Sequence, residues 1–378
     1  MLSTRGQYRF LAQTVGPLGP RSGKLGSGFP TTAVLQWAFT KPVQTHLLTP
    51  AMPSTQTLAP LVNGGDIRKM ATRDAYGATL LELGAERPDV VVLDADLSGS
   101  TKTKAFSKAY PERFFNQGVA EANMMGTAAG IATMGYTVFA SSFAMFAAGK
   151  PWEQIRQSIC VPELSVKICA THAGLTVGED GKSHQMLEDI ALMRVLPHMR
   201  VIVPADGVEA AQAVRAVAAA PGPFYVRLSR ASTPVIFSED YRFEIGKGSI
   251  LREGSDVCLA ACGVCVAPTL EAAELLAEQG IQARVVNFAT IDPIDSTLVA
   301  ESARQCGAIV TVEEHQIRGG LGDAVAQAVV RHHPVPMDLI GMDDAFGQSG
   351  TADELLVYYG ISAPAIAQRA QALILRKA

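Results

Sequence analysis

The chain has 378 residues, 48% of them apolar and 18% charged, with a formal charge of -4 and a pI near 6.0. This composition excludes a disordered or fibrous protein, and the slight acidity offers no basic face for nucleic acid. No apolar run approaches the roughly 20 residues needed to cross a bilayer, so two globular domains plus an appendage are expected, with no membrane partner.

The first 65 residues contain no Asp or Glu and only the bases Arg5, Arg9, Arg21, Lys24 and Lys41. Such a segment reads as a disordered leader or a targeting extension over 1–66. A mitochondrial or plastid location follows from the second reading, a cytoplasmic one from the first. From Ala71 the pattern changes. ATRDAYGATLLELGAER has helical spacing and stops before Pro88. VVVLDAD, VFASSF, VKICATH, RVIVPAD and PFYVRLS read as strands, with helices at EANMMGTAAGIATMG, WEQIRQSI and GVEAAQAVRAVAAA. Alternation of this kind predicts an α/β domain over 67–236 with a parallel sheet.

After TPVIFSEDYRFEIGKG a second unit is expected over 245–378, with strands at SDVCLAAC, ARVVNFAT, AIVTVEEH and MDLIGM. Its helices are APTLEAAELLAEQG, GDAVAQAVVRHH and a closing PAIAQRAQALILRK. The expected fold is thus α/β, two doubly wound domains with mostly parallel sheets. Ligands of such sheets bind beyond the carboxyl ends of the strands. ASSF, THAGLTVGEDG, VPADG and RLSRAS all fall there.

Six cysteines sit in apolar runs, which predicts reduced, buried thiols. Cys262 and Cys265 form a C-x-x-C pair, but no second pair has zinc spacing, so a strand-to-helix turn is expected there. The Gly319-Gly320-Leu321-Gly322 run lacks the Lys-Ser/Thr of a phosphate loop, and a tight strand-to-helix connection is its expected task.

Chemistry concentrates between residues 115 and 185. Glu121 opens a predicted helix in an apolar, Gly/Ala-rich setting. It either complements the helix dipole or is a buried, unpaired acid suited to exchanging a proton with a ring nitrogen. Phe143 and Phe146 follow a strand end and form either core or a stacking surface. THAGLTVGEDGKSHQ sets His172 and His184 around a Gly-acid-acid-Gly turn. This suits binding of an oxyanion or a proton relay, with a solvated loop as the bland alternative. A metal site from His172, Asp180 and His184 has no supporting ligand spacing. Arg73, Ser100 and Arg230 occupy element ends and taken singly are surface residues.

Taken in order, ATRDAYG, LDADLSGST, FNQGVAEANMMGTAAG, FAMFAAG, CATHAGLTVGEDGKSHQ, PADGVEAAQAV and VEEHQIRGGLGDAV resemble the second half of transketolase, over residues 67 to 378. The resemblance implies a pyrimidine-binding domain followed by a transketolase C-terminal domain. It implies that Glu121 protonates the distal ring nitrogen of the thiamine diphosphate aminopyrimidine, with Phe143 stacking on that ring and Phe146 bordering it. Asp96 would lie near the cofactor and a subunit interface. Asp180 and His184 would face the ketose donor, and Arg73, Ser100, His172 and Arg230 would hold its phosphate. The segment before residue 67 carries no Gly-Asp-Gly diphosphate motif. The expected assembly is therefore a split enzyme, in which a separate N-terminal subunit carries the diphosphate and Mg²⁺, with a homodimer of this chain inside a heterotetramer. Its partners would include sugar phosphates and its reaction would be two-carbon ketol transfer. Ala140 stands where relatives have a further aromatic, and Ala122 where they have a histidine. Deoxyxylulose-phosphate synthase, 2-oxo-acid dehydrogenase β-subunits and a non-catalytic partner subunit are the alternatives.

Overall fold

The computed structural model describes residues 68–377. The expected leader at 1–66 therefore lies outside the described residues.

The first half contributes strands β1 (Lys69–Ala71), β2 (Val90–Asp94), β3 (Phe114–Asn116), β4 (Thr137–Phe143), β5 (Val166–Thr171), β6 (Arg200–Ile202), β7 (Phe224–Arg227) and β8 (Ser232–Pro234). The second contributes β9 (Ser249–Arg252), β10 (Val257–Ala261), β11 (Ala283–Asn287), β12 (Thr290–Asp292), β13 (Ile309–Gln316) and β14 (Met337–Met342). Every residue of β2, β4, β5 and β7 is buried, because a central parallel strand is covered on both faces; most are apolar, and polar ones such as Asp94, Lys167 and Arg227 are hydrogen-bonded.

Seven strands form the first sheet in the order β12-β6-β7-β5-β4-β2-β3. All its pairings are parallel except the edge pair β12–β6. The second sheet runs β14-β13-β10-β11-β9, with only β9 antiparallel. One expectation needs correction. The ARVVNFAT strand ends at Asn287, and the next three-residue strand leaves the second sheet to become the edge of the first. The WEQIRQSI helix is also interrupted, passing from Trp152–Gln154 into a π-helical turn at Ile155–Cys160. RVIVPAD is strand only over its first three residues.

Helices Thr72–Glu86 and Gly207–Ala219 cover one face of the first sheet, where Tyr76, Leu80, Val214 and Val217 pack with Val92, Phe139 and Val226. On the opposite face Met124 and Ile168 belong to a cluster that continues through Cys258, Val286, Ile309 and Leu321 of the second sheet. This cluster is therefore shared by the two sheets. Buried polar groups cross the same boundary. Arg227 on β7 donates to Asp189 at 2.9 Å and to the Glu314 carboxylate on β13 at 3.5 Å. Asn287 on β11 donates to Glu209 at 2.8 Å, and Tyr241 donates to that same Glu209 oxygen.

All six cysteines are free and buried. Gly263–Cys265 is a 3-10 turn leading into the helix Val266–Ala277, and burial pushes the Cys262 and Cys265 thiols well up. This leaves them inert, as a strand-to-helix turn requires. The Gly-rich run 319–322 also closes a strand-to-helix connection. Its amides are already used, because the Glu313 carboxylate accepts from Leu321 N at 2.7 Å and from Gly322 N at 2.8 Å.

Candidate active site

The ends of β4 and β5 meet in one shelf, where Phe143 stacks on His172. Glu121 is the first residue of the helix Glu121–Ala132, and only 1% of it is exposed. A carboxylate fits a helix N-terminus because unpaired amides leave positive potential there. The structure corrects the expectation of an unpaired acid. Lys150 Nζ lies 2.6 Å from Glu121 Oε2, its own side chain about half exposed at 53%. Lys150 follows a π-helical turn, Met145–Gly149, that leaves β4 and carries Phe146.

Phe143 ends β4, and its ring lies flat on His172, centroid to centroid 3.7 Å at 25°. Phe146 runs nearly parallel to Phe143 at 6.2 Å, and the His184 ring meets Phe146 edge-on at 5.5 Å. Two phenylalanines and two histidines thus form one aromatic surface, which the isolated Phe pair in the sequence could not establish, and Lys150 links it to Glu121, its Nζ lying 5.9 Å from the Phe146 ring centre.

His172 directly follows β5 and is held at a positive φ of 57°. Its Nε2 is 3.0 Å from Arg73 Nη1 and its Nδ1 is 2.9 Å from Thr171 Oγ1. A guanidinium only donates, so Nε2 accepts and the ring proton sits on Nδ1, facing Thr171. Burial, with Arg73 and then Arg230 adding repulsion, lowers the His172 pKa to about 3. The ring is therefore neutral at ordinary pH.

Arg73 reaches this point from the first turn of the helix Thr72–Glu86, and Nη1 also donates to the Ser100 carbonyl at 3.1 Å. Ser100 thus enters through its backbone. Arg73 Nε is buried with no partner, an unfilled donor in a cationic corner. Arg230 lies near enough to Arg73 to add repulsion, but it is tied to the GEDG turn. It donates to Val177 O and to Glu179 Oε2 at 3.3 Å, with Asp180 Oδ2 at 3.8 Å. Asp180 is exposed, and His184 is partly buried with Nδ1 3.0 Å from Ser183 Oγ. Asp96 is exposed at φ 65° and accepts from Asn116 Nδ2 at 2.9 Å.

Three residues escaped the sequence reading. Lys150 carries no local signal as a lone base after a glycine. Asp94, fully buried, accepts from Leu97 N at 2.6 Å, Thr101 Oγ1 at 2.6 Å and Thr103 Oγ1 at 2.9 Å, so it shapes the loop that carries Asp96 and Ser100. The LDADLSGST string contained that signal, an acid followed by hydroxyls. Gln185 is buried beneath the GEDG turn and donates to carbonyls on both sides of it. The metal option loses its geometry, since His172 Nε2 faces a guanidinium. Among the described residues no group of three or more His, Cys, Asp or Glu is placed to hold an ion, and no helix is long and apolar enough to cross a membrane.

The transketolase pyrimidine binding domain matches residues 68–235, and the transketolase C-terminal domain matches residues 246–366. A provisionally assigned transketolase C-terminal section from Methanocaldococcus jannaschii is 53% identical, over 79% of this chain and 94% of its own length. The chain belongs to the transketolase family. A 6-deoxy-6-sulfo-D-fructose transketolase subunit from Clostridium sp. (strain MSTE9) is 41% identical, over 81% of this chain and 95% of its own length. Among solved structures, a split gene transketolase, described as an inactive β4 tetramer, superposes with a TM-score of 0.76 at 51% identity. That match covers 82% of this chain and all of the other. The domain pair is that of a transketolase carboxy-terminal section, and the shelf of Glu121, Phe143, His172 and His184 lies in its pyrimidine-binding half.

Proposed function

We propose that this chain is the carboxy-terminal subunit of a thiamine-diphosphate-dependent transketolase. It moves a two-carbon ketol unit from a ketose phosphate to an aldose phosphate, together with a separate N-terminal subunit that holds the diphosphate and Mg²⁺. The observation that carries this reading is the buried Glu121 carboxylate, joined through Lys150 to the Phe143–Phe146 surface. These residues fit a flat, basic heterocycle, since the shelf supplies an aromatic face and an anionic oxygen at its edge. The match to a split gene transketolase chain over that chain's full length supports the two-subunit form.

When bound, thiamine diphosphate supplies the carbanion chemistry that breaks and remakes the carbon–carbon bond. The chain's own residues bind and orient. Glu121 shares a proton with the ring nitrogen that meets its carboxyl group, and Phe143 with Phe146 fixes the plane of the ring. Asp180 accepts from sugar hydroxyls, and His184 lies at the reacting carbonyl end. Arg73, with its free Nε, and Arg230 meet the dianion, while His172 and Ser100 hold Arg73 in place. Asp96 lies on the loop facing the neighbouring subunit.

A sulfonate presents the same oxygen face to two guanidiniums, and the sulfosugar transketolase subunit among the relatives keeps that donor in view. The test is ketol transfer by the chain mixed with an N-terminal transketolase subunit, using xylulose 5-phosphate and 6-deoxy-6-sulfofructose as donors. Turnover that needs both subunits and thiamine diphosphate, and that Glu121→Gln abolishes, is expected. Robust turnover by the chain alone sinks the two-subunit reading, and pyruvate decarboxylation in place of ketose cleavage sinks the transketolase reading.

A further inference from the structure

Gln185 lies under the GEDG turn and is 2% exposed. Its Nε2 is 3.2 Å from Leu175 O, 3.3 Å from Gly178 O and 3.0 Å from Gln348 O. All three are carbonyls, so the amide nitrogen must face them. Leu175 and Gly178 both belong to the 3-10 segment Leu175–Ser183 that contains the turn. The third belongs to a loop of the second domain, 163 residues further along the chain.

That loop approaches the turn at three further points. A Cβ on Gly347 would overlap the Gln185 side-chain carbonyl, a Cβ on Gly181 would strike Ser349 Oγ, and Gly350 O stands 3.4 Å from where a Gly178 Cβ would lie. Gly178 and Gly181 sit at φ 82° and 71°, kinks that break the 3-10 segment Leu175–Ser183. Backbone of this kind persists only where surrounding contacts over-determine it. A second brace stands at the start of the turn, where Glu314 on β13 accepts from Thr176 N at 3.0 Å. Among the described residues, the side chains of Asp180 and His184 make no hydrogen bond or ion pair to the second domain themselves: Asp180 faces Arg230, and His184 faces Ser183 and the edge of Phe146.

We infer that residues 347–350 of the second domain, acting through Gln185, position the sugar-facing edge of the site that carries Asp180 and His184. This rests on the proposed ketose-cleaving function. Gln185 touches neither cofactor nor sugar; it is a positioning residue. The second domain then does more than fold beside the site. It sets the geometry in which donor hydroxyls are read.

The test compares Gln185→Leu and Gly347→Ala in the complex with an N-terminal transketolase subunit. Gly347 lies outside the left-handed region, so alanine there is a packing change only. Each variant should raise the KM for xylulose 5-phosphate about tenfold, with kcat and the thiamine diphosphate dissociation constant within about twofold of wild type. The double variant should be little worse than either single one, because both act on one contact. Hydrogen exchange on the full chain should show faster amides over 175–185 and unchanged ones in the helix Glu121–Ala132. The inference is overturned if KM is unchanged in both variants, if cofactor affinity falls in step with KM, or if exchange rises equally in both segments. A wild-type complex that cleaves no ketose would strike the proposed function alone, and the exchange measurement would still decide the positioning.

Discussion

Lys150 Nζ and Glu121 Oε2 are 2.6 Å apart, which puts a half-exposed ammonium over an otherwise buried carboxylate. Glu121 has almost no surface of its own, and a ring nitrogen that meets its Oε2 has to compete with this lysine. A competitor of this kind lowers apparent affinity by the fraction of time the site is closed. Lys150→Ala should therefore tighten thiamine diphosphate binding to the two-subunit complex by about threefold to tenfold, while Lys150→Arg should leave it near wild type. Equilibrium dialysis against the cofactor measures this directly. Equal or weaker binding by the alanine variant would show that the lysine assists the carboxylate.

His172 should make the fold sensitive to acid. Its pKa is depressed to about 3, mainly by burial and then by Arg73, below the value of about 6.5 for an unperturbed histidine. As pH falls, the unfolded chain takes up this proton first. The stability tied to neutral His172 is therefore complete above about pH 6.5 and is lost as pH drops towards 3. His315, lowered to about 4 by burial, acts in the same direction. In urea unfolding between pH 6 and 4, His172→Gln should flatten the pH dependence by about one proton. An unchanged slope would mean that His172 is protonated in the folded chain.

Arg227 is buried between Asp189 and Glu314 and also donates to the Met186 carbonyl at 3.2 Å. Arg227→Met would leave two carboxylates buried without their cation, at a cost of about 3–5 kcal/mol. Thermal unfolding should show one transition at a lower midpoint. Because this pair joins β7 to β13, the variant should also loosen both domains together. A loss of less than 1 kcal/mol, on the order of a surface ion pair, would mean that water reaches the site.

Gly174 has φ 81°, and a Cβ there would run into the Glu314 carboxyl group. Gly174→Ala carries both backbone strain and a clash with a group that cannot move without breaking its bonds to Thr176 N and Arg227. A destabilisation of about 2–4 kcal/mol is expected from chemical denaturation. Gly126, with open space around it and an ordinary φ, serves as the control position where alanine should be tolerated.

The central strands were legible where they are mostly apolar runs, as in VVVLD, because a parallel strand covered on both faces is mostly apolar, but their order in the sheet was not. Short edge strands were not. FFN and TID are three residues each and pair only because a neighbour offers a free edge. In the site, Glu121, Phe143, His172 and His184 stood out because each lies in or beside a distinctive string, and the structure brings Phe143, His172 and His184 onto one surface with Phe146. Lys150 and Gln185 were silent, because a lone lysine or glutamine acquires meaning only from what lies within hydrogen-bond reach.

The sequence by itself determined the α/β class, the site of the GEDG turn and the residues that could meet a heterocycle and an anion. The class follows from local periodicity, while the roles of the residues come from the resemblance of the motif strings to transketolase. Only the tertiary structure decided how those groups are held. It showed that Glu121 is covered by Lys150, that His172 is a neutral acceptor for Arg73, and that the sugar-facing turn rests on a loop of the second domain. Each of these is a contact between residues 29, 99 or 163 positions apart, and periodicity carries no information about partners at such separations.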